Sequence, residues 1–369
     1  MIFPSPRRGE GQGEGHLLED LQDLICDLVR IESVNPDLVA SGSGEAKMAR
    51  FVAGWLAEAG LDVAVIEPVP GRPSVVGVRH GSGGGRSLML NAHMDTVGAG
   101  GMADAFTPVV RDGRVYGRGA YDMKASLAAI MLTARRAPKL KGDLIITAVA
   151  DEEVASIGTA AVVERYKADY CIVTEPTELR LCLAHKGFVW WEVETTGVAA
   201  HGSRADIGVD AIAKMGPVLT RVLDLENTLR ASPRHPLLGT GSIHASLING
   251  GQELSTYPAR CVLKIERRTI PGEDVTGEIP GARMILERAP SELAPDHPLA
   301  VAVSEAAGGP EQIGVAYWMD MALTNGAGIP TVAYGPIGEG AHADVEWVDV
   351  KSVEQCVEVY LRVAEGLCG

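Results

Sequence analysis

The chain has 369 residues, a length that predicts about two domains and is ample for a large buried core. Its 48 acidic and 33 basic side chains give a net charge of −15. This balance argues against nucleic acid or an anionic membrane as partner, because both bind basic surfaces. The sequence contains no run of about 18 apolar residues, so it predicts no transmembrane helix.

The N-terminal segment and the cysteines both indicate the cytoplasm. Residues 1–15, rich in proline, glycine and charge, predict a disordered extension and lack the apolar stretch of a signal peptide. The six cysteines show no CxxC spacing and are interpreted as reduced thiols. We therefore expect a cytoplasmic protein.

Two helical patterns open the chain, in residues 17–31 and 45–60. Short β-rich runs and helical segments then alternate. This alternation predicts an α/β domain built on a mostly parallel sheet with helices on both faces. The glycine run at 81–85 separates two β-rich runs and predicts a hairpin turn.

The pattern changes near Gly187. The next 105 or so residues predict a β-α-β-β-α order, in which residues 281–289 (GARMILERA) form the second helix. From about residue 294 the α/β pattern returns. We therefore predict a discontinuous domain of residues 16–187 and 294–369, interrupted by a smaller α+β domain of residues 188–293.

Imidazoles and carboxylates follow the predicted strands of the larger domain. In open parallel sheets, ligands bind beyond the carboxyl ends of the strands, so these side chains should share one edge. A further acid, Asp122, directly precedes a predicted helix. The residues that follow strands are His93, Asp95, Asp151, Glu152, Glu153, Glu175 and His342.

So many acids in one place would repel one another unless cations offset their charge. Imidazole and carboxylate ligands without thiolate suit zinc, cobalt or manganese. One catalytic metal needs about three protein ligands, so this set predicts two metals about 3.5–4 Å apart that share a carboxylate.

Five segments in this order resemble the motifs of the co-catalytic-metal deacylases and exopeptidases, a family that includes acetylornithine deacetylase, succinyl-diaminopimelate desuccinylase and glutamate carboxypeptidase. The resemblance runs from about residue 17 to the C-terminus. It implies a catalytic domain interrupted by a dimerisation or lid domain. The segments are NAHMDTV, DGRVYGRGAYDMKASLAAIM, ADEEVASIGT, VTEPT and GPIGEGAHADVEWV.

The resemblance also implies the ligands of each metal. His93, Asp122 and Glu175 would hold one ion. Asp122, Glu153 and His342 would hold the other, with Asp122 bridging. Glu152 would be the general base that takes a proton from a metal-bridging water and passes it to the leaving amine. Asp95 would orient the imidazole of His93 through its carboxylate.

In the smaller domain the resemblance assigns three further residues. His201 would stabilise the oxyanion, often in the partner subunit's site, which implies a homodimer. Arg268 would bind a substrate carboxylate, since a guanidinium can grip a carboxylate in a bidentate manner. Asn249, in the turn before the strand of Arg268, would also bind substrate. Arg267 would alternate to the other face of its strand, where we expect a solvated arginine.

The function predicted is hydrolysis of the amide bond of an N-acyl amino acid. An exopeptidase acting on di- or tripeptides with the same metals remains an alternative. A metal-free dimeric binding protein is disfavoured because all five metal-ligand candidates and the candidate base Glu152 are present. A nicotinamide-dependent dehydrogenase is disfavoured because no GxGxxG follows the first strand.

Overall fold

The computed structural model describes residues 14–369. Glu14 and Gly15 already belong to the first helix, so the fold begins two residues before the predicted domain boundary. The rest of the predicted disordered extension lies outside the described residues.

The described chain contains eight α-helices, one five-residue π-helical turn at Ala120–Lys124 and 17 strands. The helices are α1 (Glu14–Arg30), α2 (Ala46–Glu58), α3 (Ala125–Arg136), α4 (Ile157–Arg165), α5 (Ala211–Ala231), α6 (Pro298–Ala306), α7 (Met321–Gly326) and α8 (Val350–Cys368). The strands are β1 (Asp62–Val69), β2 (Arg72–Arg79), β3 (Leu88–His93), β4 (Val109–Arg111), β5 (Arg114–Tyr116), β6 (Leu144–Val149), β7 (Tyr170–Val173), β8 (Leu181–His185), β9 (Gly187–Thr196), β10 (Ser242–Gly250), β11 (Arg260–Thr269), β12 (Arg283–Arg288), β13 (Ser291–Glu292), β14 (Gln312–Val315), β15 (Thr331–Ala333), β16 (Gly338–Glu339) and β17 (Trp347–Asp349).

The described residues divide into two compact units. The large unit comprises residues 14–181, 294–312 and 323–369, and the small unit comprises residues 182–293 and 313–322. No local pattern in the sequence signals that the short segment 313–322 groups with the small unit.

The large unit is built on a mixed sheet in the order β1-β2-β6-β3-β7-β15. Strands β6, β3, β7 and β15 run parallel, and β2 and β1 add antiparallel to the edge. Every residue of β3, β6 and β7 is buried, as in a parallel sheet covered on both faces. The α/β prediction is therefore confirmed.

The glycine run at 81–85 does not close a hairpin. Strand β2 pairs with β1 and β6, whereas β3 pairs with β6 and β7. The two runs on either side of the glycines are thus separated by β6. The hairpin prediction was wrong because local turn chemistry does not say which strand becomes the neighbour.

A second, antiparallel sheet of the large unit has the order β16-β17-β5-β4. Its strands are two or three residues long, too short to leave a period in the sequence. Trp347 pairs with Tyr116, so this sheet joins the segment just before the π-helical turn to the strands on either side of residue 342.

The small unit contains an antiparallel sheet in the order β10-β11-β9-β12, with α5 packed on one face. Alternate residues of β9 and β11 point into this core, among them Val189, Trp191, Leu263 and Ile265. The predicted second helix at 281–289 is wrong: Arg283–Arg288 is strand β12, paired with β9 at the sheet edge. A run of six mixed apolar and charged residues is too short to distinguish the period of a helix from the period of a strand.

Strands β8 and β13 pair with each other, Ala184 opposite Glu292 and His185 opposite Ser291. All six cysteines are buried and free. Among residues 14–369 no helix combines the length and the apolar character needed to cross a bilayer. The cytoplasmic location stays a prediction.

Candidate metal centre

The predicted ligands lie just beyond the carboxyl ends of the central strands. His93 is the last residue of β3, Glu153 lies on the turn after β6, and Glu175 follows β7 by two residues. Asp122 lies in the π-helical turn before α3, and His342 lies in the loop between β16 and β17. Because β3, β6 and β7 are parallel, their ends place these side chains at one edge of the sheet.

Five side chains form two triads that share Asp122. His93, Asp122 and Glu175 form one triad, and Asp122, Glu153 and His342 form the other; the ligand atoms of each lie within 4.8 Å of one another. The Nε2 atom of His93 lies 3.1 Å from Oδ1 of Asp122. The other oxygen of Asp122, Oδ2, lies 3.3 Å from Nε2 of His342. One carboxylate thus faces both imidazoles.

The charges in the triads shift each other's pKa values. Burial would raise the pKa of Asp122, but hydrogen bonds from His342 and His93 outweigh it and lower that pKa. Burial would lower the pKa of His93, yet its hydrogen bond to Asp122 and the charge of Glu175 raise it well above its usual value. Hydrogen bonds to Asp122 and Glu153 raise the pKa of His342 to about 10.

The residues fit divalent metals. Three carboxylates face two imidazoles, a donor set of nitrogen and oxygen that suits zinc and similar ions. The Oε1 atom of Glu153 is buried and accepts no hydrogen bond from any of residues 14–369. A buried carboxylate oxygen without a donor is costly, and a cation would offset that cost.

The loop that carries His342 is held in a demanding conformation. His342 has a φ of 63°, in the left-handed region that non-glycine residues rarely adopt. Nearby, Gly340 has a φ of 87°, and a Cβ there would lie 1.8 Å from the carbonyl oxygen of Val345. The close turn therefore requires glycine at 340 and directs the imidazole at 342 toward Asp122 and Glu153.

Asp95 contacts His93 differently from what the resemblance implies. The Nδ1 atom of His93 lies 2.9 Å from the backbone carbonyl oxygen of Asp95 and 3.7 Å from its carboxylate. The carbonyl therefore orients the imidazole. The carboxylate instead accepts hydrogen bonds from the backbone N–H groups of Glu152, at 3.1 Å, and Glu153, at 3.3 Å.

Glu152 precedes Glu153 on the turn after β6 and belongs to neither triad. Asp151, the third acid of this run, is buried and hydrogen-bonded to Arg72 and Asn35. These bonds hold the Asp151 carboxylate away from any role as a base, which leaves Glu152 as the candidate.

Sequence reasoning missed a buried ion pair beside the triads. The carboxylate of Glu346 pairs with Arg118 at 2.8 Å and accepts hydrogen bonds from three backbone N–H groups, at residues 119, 121 and 122. Both residues lie inside motifs identified from the sequence. Their pairing joins positions 228 residues apart, and no local spacing predicts it.

In the small unit, His201 is exposed and forms a bridge with Thr256. Its Nδ1 atom accepts a hydrogen bond from the backbone N–H of Ser203 at 3.2 Å. A neutral imidazole that accepts at Nδ1 carries its proton on Nε2, which makes Nε2 a hydrogen-bond donor.

Asn249 and Arg268 lie toward opposite ends of one strand ladder. Asn249 pairs with Val262, whereas Arg268 pairs with Ser242. The six positions from 262 to 268 along β11 correspond to about 20 Å. Within one chain, therefore, the two side chains do not hold the same small carboxylate.

The neighbouring arginines of β11 have different environments. Arg268 lies on the face away from α5, over the ring of Phe188, and pairs with Glu266. Arg267 is buried and pairs with Glu273 and Glu278, each at 3.0 Å. The expectation of a solvated Arg267 was wrong, because the loop at 271–281 supplies two carboxylates to the buried face.

The model of peptidase family M20/M25/M40 matches residues 89–366, and the chain belongs to this family. The acetylornithine deacetylase of Salmonella typhi is 29% identical over 390 residues, which cover 96% of this chain and 99% of that protein.

Two solved structures share the fold. A tripeptidase from Staphylococcus aureus has a TM-score of 0.76 at 19% identity, covering 95% of this chain and 98% of that one. A dinuclear metal binding peptidase of family M20 from Bacillus subtilis has a TM-score of 0.67 at 16% identity, covering 96% and 99%. The protein is a metal-dependent hydrolase that acts on amide or peptide bonds.

Proposed function

We propose that this protein hydrolyses the amide bond of an N-acyl amino acid, with two divalent ions held by the two triads. The observation that carries the proposal is the pair of histidine–carboxylate triads that share Asp122. The acetylornithine deacetylase that is 29% identical over nearly the whole length supports the substrate class. Zinc is the metal that we propose, with cobalt and manganese as alternatives.

When bound, two divalent ions would acidify a water molecule and polarise the substrate carbonyl. Glu152 takes the proton from that water and passes it to the leaving amine. The turn after β6 thus carries two acids with separate roles, Glu153 as a metal ligand and Glu152 as the base. His201 donates from Nε2 to the oxygen that becomes negatively charged.

We further propose a homodimer formed through the small unit. Strand β10 is an edge strand, and its side chains Leu247 and Ile248 are 64% and 53% exposed. On the helix that packs against this strand, Leu223 is 60% exposed. An unpaired edge with exposed apolar side chains favours pairing with a second copy. A dimer would also let Asn249 of one subunit and Arg268 of the other contact one substrate.

The test is a hydrolysis screen of protein loaded with zinc, cobalt or manganese against N-acetyl amino acids, N-succinyl amino acids, dipeptides and tripeptides. We expect turnover of an N-acyl amino acid that a chelator abolishes and added metal restores. Hydrolysis of peptides without any N-acyl amino acid would contradict the substrate class in favour of the exopeptidase alternative.

A matched pair of variants tests the base. Glu152→Gln should keep both metals and lose about 10²–10⁴-fold in turnover, because proton transfer alone is removed. Glu164→Gln changes an exposed glutamate of α4 and should be neutral. Turnover of Glu152→Gln close to that of Glu164→Gln would exclude Glu152 as the base.

A further inference from the structure

A single buried amide connects two carboxylates behind the triads. Asn35 is fully buried, and its Nδ2 group donates to Oδ2 of Asp95 at 2.8 Å and to Oδ1 of Asp151 at 2.9 Å. Both hydrogens of the amide are thus used, one on each acid. The amide oxygen accepts from the backbone N–H of Asp37 at 3.0 Å, which completes the bonding of the side chain.

These two carboxylates hold the turn that carries Glu152 from two sides. Asp95 accepts the backbone N–H groups of Glu152 and Glu153. Asp151 directly precedes Glu152 and has a φ of 70°, in the left-handed region. A non-glycine residue keeps such a conformation only where its surroundings enforce it. Here the side chain of Asp151 is held by Asn35 and by Arg72.

Arg72 completes a buried charged network. It pairs with both oxygens of Glu45 at 2.8 Å and with Oδ1 of Asp151 at 2.8 Å. Two buried carboxylates, those of Glu45 and Asp151, therefore share one buried guanidinium. Arg72 contacts Glu45 and Asp151, and the bond that ties Asp95 into the network comes from Asn35. Removing one member of such a network leaves a buried charge without its donor.

We propose that Asn35 is a positioning residue for Glu152: by bonding Asp95 and Asp151 together, it fixes the turn from which Glu152 reaches the water. The inference rests on the proposed function of Glu152 as the base. It assigns no contact with substrate to Asn35. Without the amide, Asp95 and Asp151 would repel each other and the turn would shift. Glu152 would then no longer be oriented toward the water. A displacement of about 1 Å costs on the order of 10²-fold in rate.

The test is a double-mutant cycle of Asn35→Ala and Glu152→Gln, measured at saturating zinc. We expect Asn35→Ala alone to lower kcat by about 10–100-fold with little change in KM and with two metals bound. In the Glu152→Gln background, the same change should cost less than about twofold, because residues that act through one another are not additive.

Asn91→Ala is the matched control. Asn91 is also a buried asparagine of the large unit, but its amide donates to Thr147 at 3.0 Å, a neutral hydroxyl. This variant should lose stability while its turnover stays near that of the wild type. If Asn35→Ala does not fold, Asn35→Ser takes its place, since one hydroxyl can hold one of the two carboxylates.

The outcomes separate the two hypotheses. Equal losses from Asn35→Ala in both backgrounds, a loss of bound metal, or a turnover loss matched by Asn91→Ala would each overturn the positioning role. A Glu152→Gln variant that remains active would instead overturn the proposed base, whatever the behaviour of Asn35.

Discussion

The carboxylate of Glu346 accepts a hydrogen bond from the backbone N–H of Asp122, with an N···O distance of 3.0 Å. The same carboxylate pairs with Arg118, whose Nη2 atom donates to the carbonyl of Ala343 at 2.8 Å. One buried ion pair therefore fixes both the turn that carries Asp122 and the loop that carries His342.

The first prediction concerns this pair. Glu346→Gln keeps the shape but turns one acceptor oxygen into an amide that faces N–H donors. We expect the zinc affinity of the centre to fall by roughly 10–100-fold, the effect of losing a group that orients metal ligands. Titration with a competing chelator measures it. Glu358→Gln, in an exposed pair with Arg362, is the control and should leave affinity unchanged.

The second prediction is that metal binding releases protons. Neighbouring carboxylates raise the pKa of His342 to about 10, so that imidazole carries a proton at pH 7 in the absence of metal, and they also raise the pKa of His93. Metals bind the neutral imidazole and must displace this proton. Zinc affinity should therefore rise with pH across the neutral range. Calorimetry in buffers of different ionisation enthalpy should give at least one proton released per two zinc ions; a value near zero would contradict the assignment of His342 as a ligand.

The third prediction tests whether His201 acts in the partner's site. His201→Ala should lose about 10²–10³-fold in turnover, the value of one oxyanion donor, and still bind metal. Mixed with Glu152→Gln under subunit exchange, it should recover about a quarter of wild-type activity, because half of the random dimers are mixed and each of these has one intact site in two. If mixing restores no activity above background, His201 acts in its own subunit's site or outside catalysis. A monomer by light scattering would exclude the dimer.

The fourth prediction is a stability effect of His185. This side chain is fully buried, its Nδ1 lies 2.9 Å from the carbonyl of Lys186, and burial lowers its pKa to about 4. The unfolded chain binds the proton near pH 6.5, so the wild type loses stability as the pH falls from about 6.5 to about 4. His185→Gln should lack this loss, which amounts to at most about 3 kcal/mol. Denaturant unfolding at several pH values measures it, with His80→Gln, at an exposed side chain, as control. Parallel curves for wild type and His185→Gln would contradict the prediction.

A structural feature can be predicted from the sequence when it depends on residues that are close together in the chain. His93, Glu153 and Glu175 could be placed together because each follows a buried run of residues, and parallel strands end at one edge. The helix over residues 211–231 is likewise a long periodic segment, which a sequence reports well. These features follow from patterns that span about 20 residues or less.

Other features depend on contacts between distant positions. Three examples are the pairing of Glu346 with Arg118, the bonds from Asn35 to Asp95 and Asp151, and the pairing of Arg267 with Glu278. Each involves buried polar or charged side chains that a sequence reading assigns to solvent. Composition places arginine and glutamate at the surface by default, since burial requires a partner that the sequence does not name. The strand at 283–288 was missed because its six residues fit either period.

The pairing of β8 with β13 has a consequence for how such chains diversify. Because Ala184 lies opposite Glu292, the chain leaves for the inserted segment and returns from it within one strand spacing, about 5 Å. Closing a gap of that size costs little more for a long insert than for a short one, since the entropy of loop closure grows only with the logarithm of length. Changes of chain length between residues 186 and 290 that keep His201 and Arg268 therefore need not reroute the backbone that presents Asp122.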